Sequence, residues 1–150
     1  MTVIPAVYTN QEVSPIPKVT GLGWTTLSVD DSTNAQQAIK NDITNLAFAT
    51  PRGVQDVTGI DKSAYERLLT LADFTITMNG IFNPAVNQQH DVMKTIPSTS
   101  VPRLITMVTN GKTLAPTVIL TDYTLTRATS GDLTWAAPGA LSNGVVPTWS

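Results

Sequence analysis

Ala72-Asp73-Phe74-Thr75-Ile76-Thr77-Met78-Asn79-Gly80-Ile81-Phe82 opens with a strict alternation of apolar and polar side chains. Successive side chains of a β-strand point to opposite faces, so Ala72, Phe74, Ile76 and Met78 define a buried face and Asp73, Thr75, Thr77 and Asn79 a wet one. The pattern predicts a strand region from Thr70 to Phe82, which Asn83-Pro84 ends because proline has no amide hydrogen for a ladder. Shorter pieces of the same kind follow. Leu104 to Thr109 leads into Asn110-Gly111, a pair that readily takes the positive φ of a tight hairpin, and β-prone residues resume after Lys112. Thr117 to Arg127 sets Ile119, Tyr123 and Leu125 on one face. Ser130-Gly131-Asp132 then turns the chain so that Leu133 and Trp135 can pack across from them.

Upstream, Val19 to Val29 is β-branched and aromatic and predicts a first strand region, with Gly21 and Gly23 allowing a bulge. Ala35 to Lys40 reads as a helical turn or a polar loop. In the strand predicted over Asp42 to Ala49, Ile43, Asn45 and Ala47 oppose Thr44, Leu46 and Phe48, which leaves the buried face open. Thr50 to Gly59 has no period and reads as a long connection. Ser63-Ala64-Tyr65-Glu66 is a capping-box pattern that predicts a short helix or turn through about Leu69. Val86 to Thr95 carries apolar residues at helical spacing and predicts a helix on the sheet. Proline-rich ends predict extended arms over 1–18 (Pro5, Pro15, Pro17) and 138–150 (Pro138, Gly144, Pro147, with Trp149 as an aromatic anchor). The sum is one domain over 1–150, mainly β, an antiparallel sandwich or barrel with one flanking α-helix.

Composition narrows the function. Charged residues make up 13% of the 150, against about 25% in an ordinary soluble domain, and threonine is the commonest side chain. A net charge of -2 and a neutral, hydroxyl-rich surface point to contacts between subunits more than to charge-held solubility. Nine Lys plus Arg, scattered singly, form no basic stripe for nucleic acid. The absence of cysteine excludes disulfides, thiolate metal sites and cysteine nucleophiles. The N-terminus has neither the basic region nor the sustained apolar run of a signal peptide or membrane anchor.

The inventory for catalysis is thin. His90 is the one histidine, expected on the surface of the predicted helix, and a zinc site needs three or four ligands. Asp30-Asp31 reads as half a calcium site or as a solvated turn. Gly21-Leu22-Gly23 is too short for a dinucleotide fingerprint. Trp24, Trp135 and Trp149 could stack on sugars or fill core and subunit contacts. No enzyme activity, cofactor or metal is expected.

Five stretches carry a family resemblance: Gly23-Trp24-Thr25-Thr26-Leu27-Ser28-Val29-Asp30-Asp31, Asp56-Val57-Thr58-Gly59-Ile60-Asp61-Lys62-Ser63-Ala64, Asp73 to Asn83, Thr121 to Trp135, and Asn143 to Trp149. Together they are similar to major tail tube proteins of long, flexible-tailed bacteriophages (siphophages). The resemblance implies a tail-tube-type β-sandwich, six of which form a ring, with rings stacked into a conduit for genomic DNA. It also implies a homo-oligomer in the virion tail, made in a host cytoplasm, with tape measure, tail terminator and tip proteins as partners. Double-stranded DNA would pass without specific contact, and nothing would insert into a membrane. A conduit should not hold its cargo, so Asp73, Thr75, Thr77 and Asn79 are the candidate lumen face; the other reading is that this face looks outward to solvent. Pro51, Arg52, Gly53, Val54, Gln55 and Asp56, with the arms and Trp149, are the candidate ring-stacking contacts. A lectin-like or receptor-binding tail module and a tube component of a contractile injection system are the alternatives.

Overall fold

The computed structural model describes residues 18–150, so the expected N-terminal arm lies outside the described residues except for Lys18. In chain order the strands are β1 (Trp24–Asp30), β2 (Gln36–Ala38), β3 (Ile43–Ala49), β4 (Arg52–Asp56), β5 (Arg67–Ala72) and β6 (Thr75–Ile81). A short helix, α1 (Gln89–Met93), precedes β7 (Arg103–Thr109), β8 (Lys112–Leu114), β9 (Thr117–Leu120), β10 (Thr124–Arg127) and β11 (Leu133–Leu141). Nine strands join in one antiparallel sheet of order β2-β1-β7-β9-β11-β6-β3, with β8 also on β7 and β10 also on β11. β4 and β5 pair as a separate hairpin.

The long sheet folds over where β7 meets β9, a junction of only two residue pairs, Arg103 with Val118 and Leu104 with Thr117. Its two halves face each other across one core. Leu27, Val29, Ile105, Met107 and Leu114 come from one half, and Ile76, Met78, Trp135 and Ala137 from the other. Phe74, Ile76 and Met78 are buried as the alternation required. Each such side chain contributes roughly 1.5–3 kcal/mol on leaving water. Asn110 and Gly111 both take positive φ, 50° and 78°, at the expected β7–β8 hairpin. Leu125 and Arg127 stand opposite Trp135 and Leu133.

Several expectations need correction, and Ala35 to Lys40, expected as a helical turn or a polar loop, carries the short strand β2 on the edge of β1. The region Thr70–Phe82 is two strands, because the chain leaves the hairpin at Ala72 and enters the main sheet at Thr75. The helix expected from Ser63 is absent: the Glu66 amide donates to Thr58 Oγ1 at 2.8 Å and its carbonyl accepts from Val57, so this backbone is committed to the hairpin. The helix expected from Val86 begins only at Gln89, since Asn87 takes a left-handed φ of 60°. The C-terminal strand runs through Pro138 to Leu141, so the extended tail starts at Ser142. Pro138 is tolerated because its carbonyl accepts from Thr121 on the side where β9 and β10 are interrupted, and its missing N–H falls at that gap.

Two glycine and bulge effects set the strand positions. An irregularity in register between Ile43 and Asn45 lets Ile43, Leu46 and Phe48 all pack toward the core, which simple alternation could not show. Gly80 sits between the two neighbours of β6: a Cβ there would overlap the Asp42 carbonyl oxygen and come within 2.8 Å of Trp135 Nε1. The indole N–H donates to the carbonyls of Asp42 and Ile81 at 3.3 and 3.1 Å. Gly80→Ala should therefore destabilise the fold by about 3 kcal/mol, as an overpacked site does. A urea midpoint equal to wild type would show that β3 and Trp135 can move aside.

Candidate assembly surfaces

The half-sheet β10-β11-β6-β3 buries one face and leaves the other bare. Register places Asn45, Ala47 and Ala49 of β3 beside Asn79, Thr77 and Thr75 of β6, and these beside Ala136, Pro138 and Ala140 of β11. Thr124 and Thr126 of β10 continue the row next to Ala136 and Thr134. All are exposed or half-buried, and none carries a charge. Asp73, grouped with them by sequence, stands at the end of β6 instead. Its Oδ1 accepts from the Phe74 amide at 2.7 Å, and its own amide donates to the Pro51 carbonyl at 2.8 Å. The candidate lumen strand and the candidate stacking segment thus meet at the base of the hairpin.

Pro51 to Asp56, expected as an irregular connection, form the first strand of that hairpin and its approach. Val54 lies opposite Leu69, and Leu71 follows on the same face of β5. They are 58%, 60% and 91% exposed, and nothing among the described residues covers them. A two-stranded ribbon is marginal by itself in water. What holds it is local: Arg52 donates twice to the Thr70 carbonyl at 3.2 and 3.1 Å, and Arg67 lies over the Tyr65 ring at 4.5 Å. Gly53 leaves room for Thr70, whose Oγ1 a Cβ would overlap.

Trp149 is not joined to this segment. Its ring stacks on Phe48 at 6.0 Å, and Ser150 exchanges two backbone hydrogen bonds with Thr113, which ties the tail to its own chain. About half of the indole's residue remains exposed. Trp135 is core, and Trp24 is half-buried with its Nε1 donating to the Thr26 carbonyl at 2.9 Å.

The structure also assembles polar residues that no local pattern marked. Gln89 and Arg103 are buried to 0% and 1% exposure, and Asp42 to 4%. Arg103 donates to the carbonyls of Asp30 and Val92 at 3.1 and 2.6 Å and to Thr95 Oγ1 at 2.9 Å, closing the C-terminal end of α1. Burial lowers its pKa, while the carboxylates of Asp31 and Asp30 oppose that. His90 is half-buried, not on a free helix surface: its ring stands 4.8 Å from Phe82 and its Nδ1 lies 3.0 Å from the Tyr123 hydroxyl.

An open groove of 270 Å³ between β1 and β3 is lined by Trp24, Leu27, Ile43 and Leu46, with Lys40 as its one ionisable side chain. Among the described residues no cluster of three or more His, Cys, Asp or Glu could hold a metal ion, and no helix is long and apolar enough to cross a membrane. Asp31 is a turn cap. One oxygen accepts from Thr33 Oγ1 at 2.6 Å, Thr33 N at 2.8 Å and Ala35 N at 3.0 Å.

The sequence matches no known family and no curated protein. The fold does match solved structures. A chain from the tail of an empty gene transfer agent particle, determined by helical refinement with C6 symmetry, superposes with a TM-score of 0.72 at 12% identity, covering 89% of this chain and 99% of that one. A chain from the virion of a native gene transfer agent particle gives 0.70, also at 12% identity and the same coverage. The antiparallel, mainly β fold, with one flanking α-helix among the described residues, is thus similar to that of chains in phage-like tail particles.

Asp31 supplies a test of the turn. The hydroxyl of Thr33, then the Ala35 and Thr33 amides, hold its pKa at about 2, against the burial that raises it. The group's contribution is complete above its unfolded value of about 3.9 and is lost as pH falls toward 2. Asp31→Asn should melt lower than wild type at pH 6, and the gap should narrow steadily from pH 4 through pH 2; a pH-independent gap would refute the carboxylate's role.

Proposed function

We propose that this chain is a structural subunit of a phage-like tail, and that six copies close into a ring whose stacking builds the tail tube of a siphophage-type particle. The observation that carries the reading is a pair of bare sheet edges. β3 and β10 bound the half-sheet, and among the described residues neither has a ladder partner on its far side. Each of the three pairings between them is antiparallel, so the two edges run in opposite directions. Copies related by rotation about one axis keep their strand directions, so β10 of one would meet β3 of the next antiparallel. No edge of this half-sheet would remain open.

Six four-stranded half-sheets would make a barrel of about 24 strands, which at ~4.8 Å spacing and ~40° tilt closes at a backbone diameter of about 48 Å. Such a bore admits a DNA duplex. The C6 symmetry of the gene transfer agent tail supports this number. The uncharged Thr, Asn and Ala face would line the bore, where lysine would hold phosphate and slow passage. The hairpin β4–β5 would reach the next ring and bury Val54, Leu69 and Leu71 there, a heterologous contact that repeats without closing, as a tube requires. Tape measure protein inside the bore, with terminator and tip proteins at its ends, would complete the tail of the virion. The subunit would be made in the host cytoplasm.

Two experiments test these roles separately. Leu69→Asp with Leu71→Asp should leave monomer stability within about 0.5 kcal/mol, since both residues are exposed. It should also abolish tubes in negative-stain images of concentrated protein; normal tubes would remove the hairpin from the stacking contact. Thr75→Lys with Thr77→Lys should assemble normally and slow DNA ejection, and unchanged ejection would place this face elsewhere than the bore.

A further inference from the structure

The two edge strands start far apart in sequence and are tied to one residue, Gln89, by its amide on one side and its side chain on the other. Asp42 immediately precedes β3, and Tyr123 immediately precedes β10. Asp42 Oδ1 accepts from Asn83 Nδ2 at 2.8 Å, and its Oδ2 accepts from the Gln89 amide at 3.2 Å. The side chain of Gln89 completes the bridge: its Oε1 accepts from the Asn83 amide at 3.2 Å, and its Nε2 donates to the Tyr123 hydroxyl at 2.7 Å. That hydroxyl also meets His90 Nδ1, and the Asp42 carbonyl receives the Trp135 indole from the central strand β11. Among the described residues, no buried side-chain nitrogen or oxygen is left without a partner.

We infer that Gln89 is a positioning residue for assembly: it fixes the start of β3 relative to the start of β10, and so sets the offset at which one copy's edge meets the next. This rests on the ring reading above. Helix α1 is only five residues long, and while Val92 and Met93 pack into the core, its first residue is completely buried with its amide on Asp42, its Oε1 on the Asn83 amide and its Nε2 on Tyr123. A strand offset by one residue presents the wrong face to its neighbour, so small freedom at either edge is costly to a ladder between copies. A fully satisfied polar network is suited to this role, because its geometry has one solution where an apolar contact has many.

The test compares Gln89→Met, which keeps length and removes both hydrogen-bonding groups, with Tyr123→Phe, which removes one oxygen. Each variant should fold. In the monomer, exchange of the protected amides of β3 and β10 should quicken by about tenfold while β7 is unchanged, and the critical concentration for tubes should rise by about tenfold. Ile105→Val, a core change on the opposite half-sheet, should lower the melting temperature without either effect. Should Gln89→Met fail to fold, Tyr123→Phe decides. Unaltered exchange at both edges overturns the inference whether or not tubes form. Wild-type protein that never forms tubes overturns the ring reading instead, and leaves edge exchange to judge the role of Gln89.

Discussion

Backbone amides and carbonyls along a sheet edge must find partners, and among the described residues β3 and β10, like the short β2 at the far end of the sheet and the separate hairpin, have a strand on one side only. An unpaired edge on an isolated protein invites disordered aggregation, and proteins that live alone blunt such edges with charge, proline or bulges. Here β3 carries no charge at all, and the proline of β11 lies in a central strand with its missing donor at an internal gap. The irregularity in β3 sits at its first residues, leaving Leu46 to Ala49 regular. β10 carries a single charge, Arg127, at its end, and in the proposed ring the antiparallel alternation across the half-sheet lets identical copies complete both edges.

Where the charges do lie supports the same view. Lys62 with Asp61 and Glu66 occupies the hairpin tip, and Lys94 with Asp91 the outside of α1. Exposed pairs of this kind add little to stability, typically under about 1 kcal/mol. Their use is solubility at the periphery. The broad face of β3, β6 and β11 is left to hydroxyls, amides and methyls, a surface that neither repels a neighbouring copy nor grips a polyanion.

The parts of the fold that were legible in the sequence are those whose environment lies within the chain. Phe74, Ile76 and Met78 announce their strand because one face packs on the chain's own core and the other does not. Asn110-Gly111 announces its turn because the conformation is a property of two residues. The hairpin β4–β5 was invisible for the opposite reason: both its faces are bare, so Val54, Leu68, Leu69 and Leu71 follow no period set by this molecule. In the proposed tube those apolar residues would find their period against the next ring and not within this chain. The bulge at Ile43 and the loss of the Ser63 helix were hidden because each depends on a partner distant in space, Gly80 in one case and the hairpin ladder in the other.

The least legible residues, Asp42, Gln89 and Arg103, have the composition of a surface and the burial of a core. Arg103 closes α1 from β7, and Gln89 ties α1 to both edges, so a helix too short to be stable alone is held at both ends by buried polar groups. Apolar side chains in their place could pack as well, and buried polar groups are a poor route to stability as such. What they supply is a single relative position for elements that the hydrophobic core leaves free to slide. In the proposed ring, edges that mate with copies of the same chain would need that position fixed before the copy arrives, since an error of one residue would be inherited by every junction.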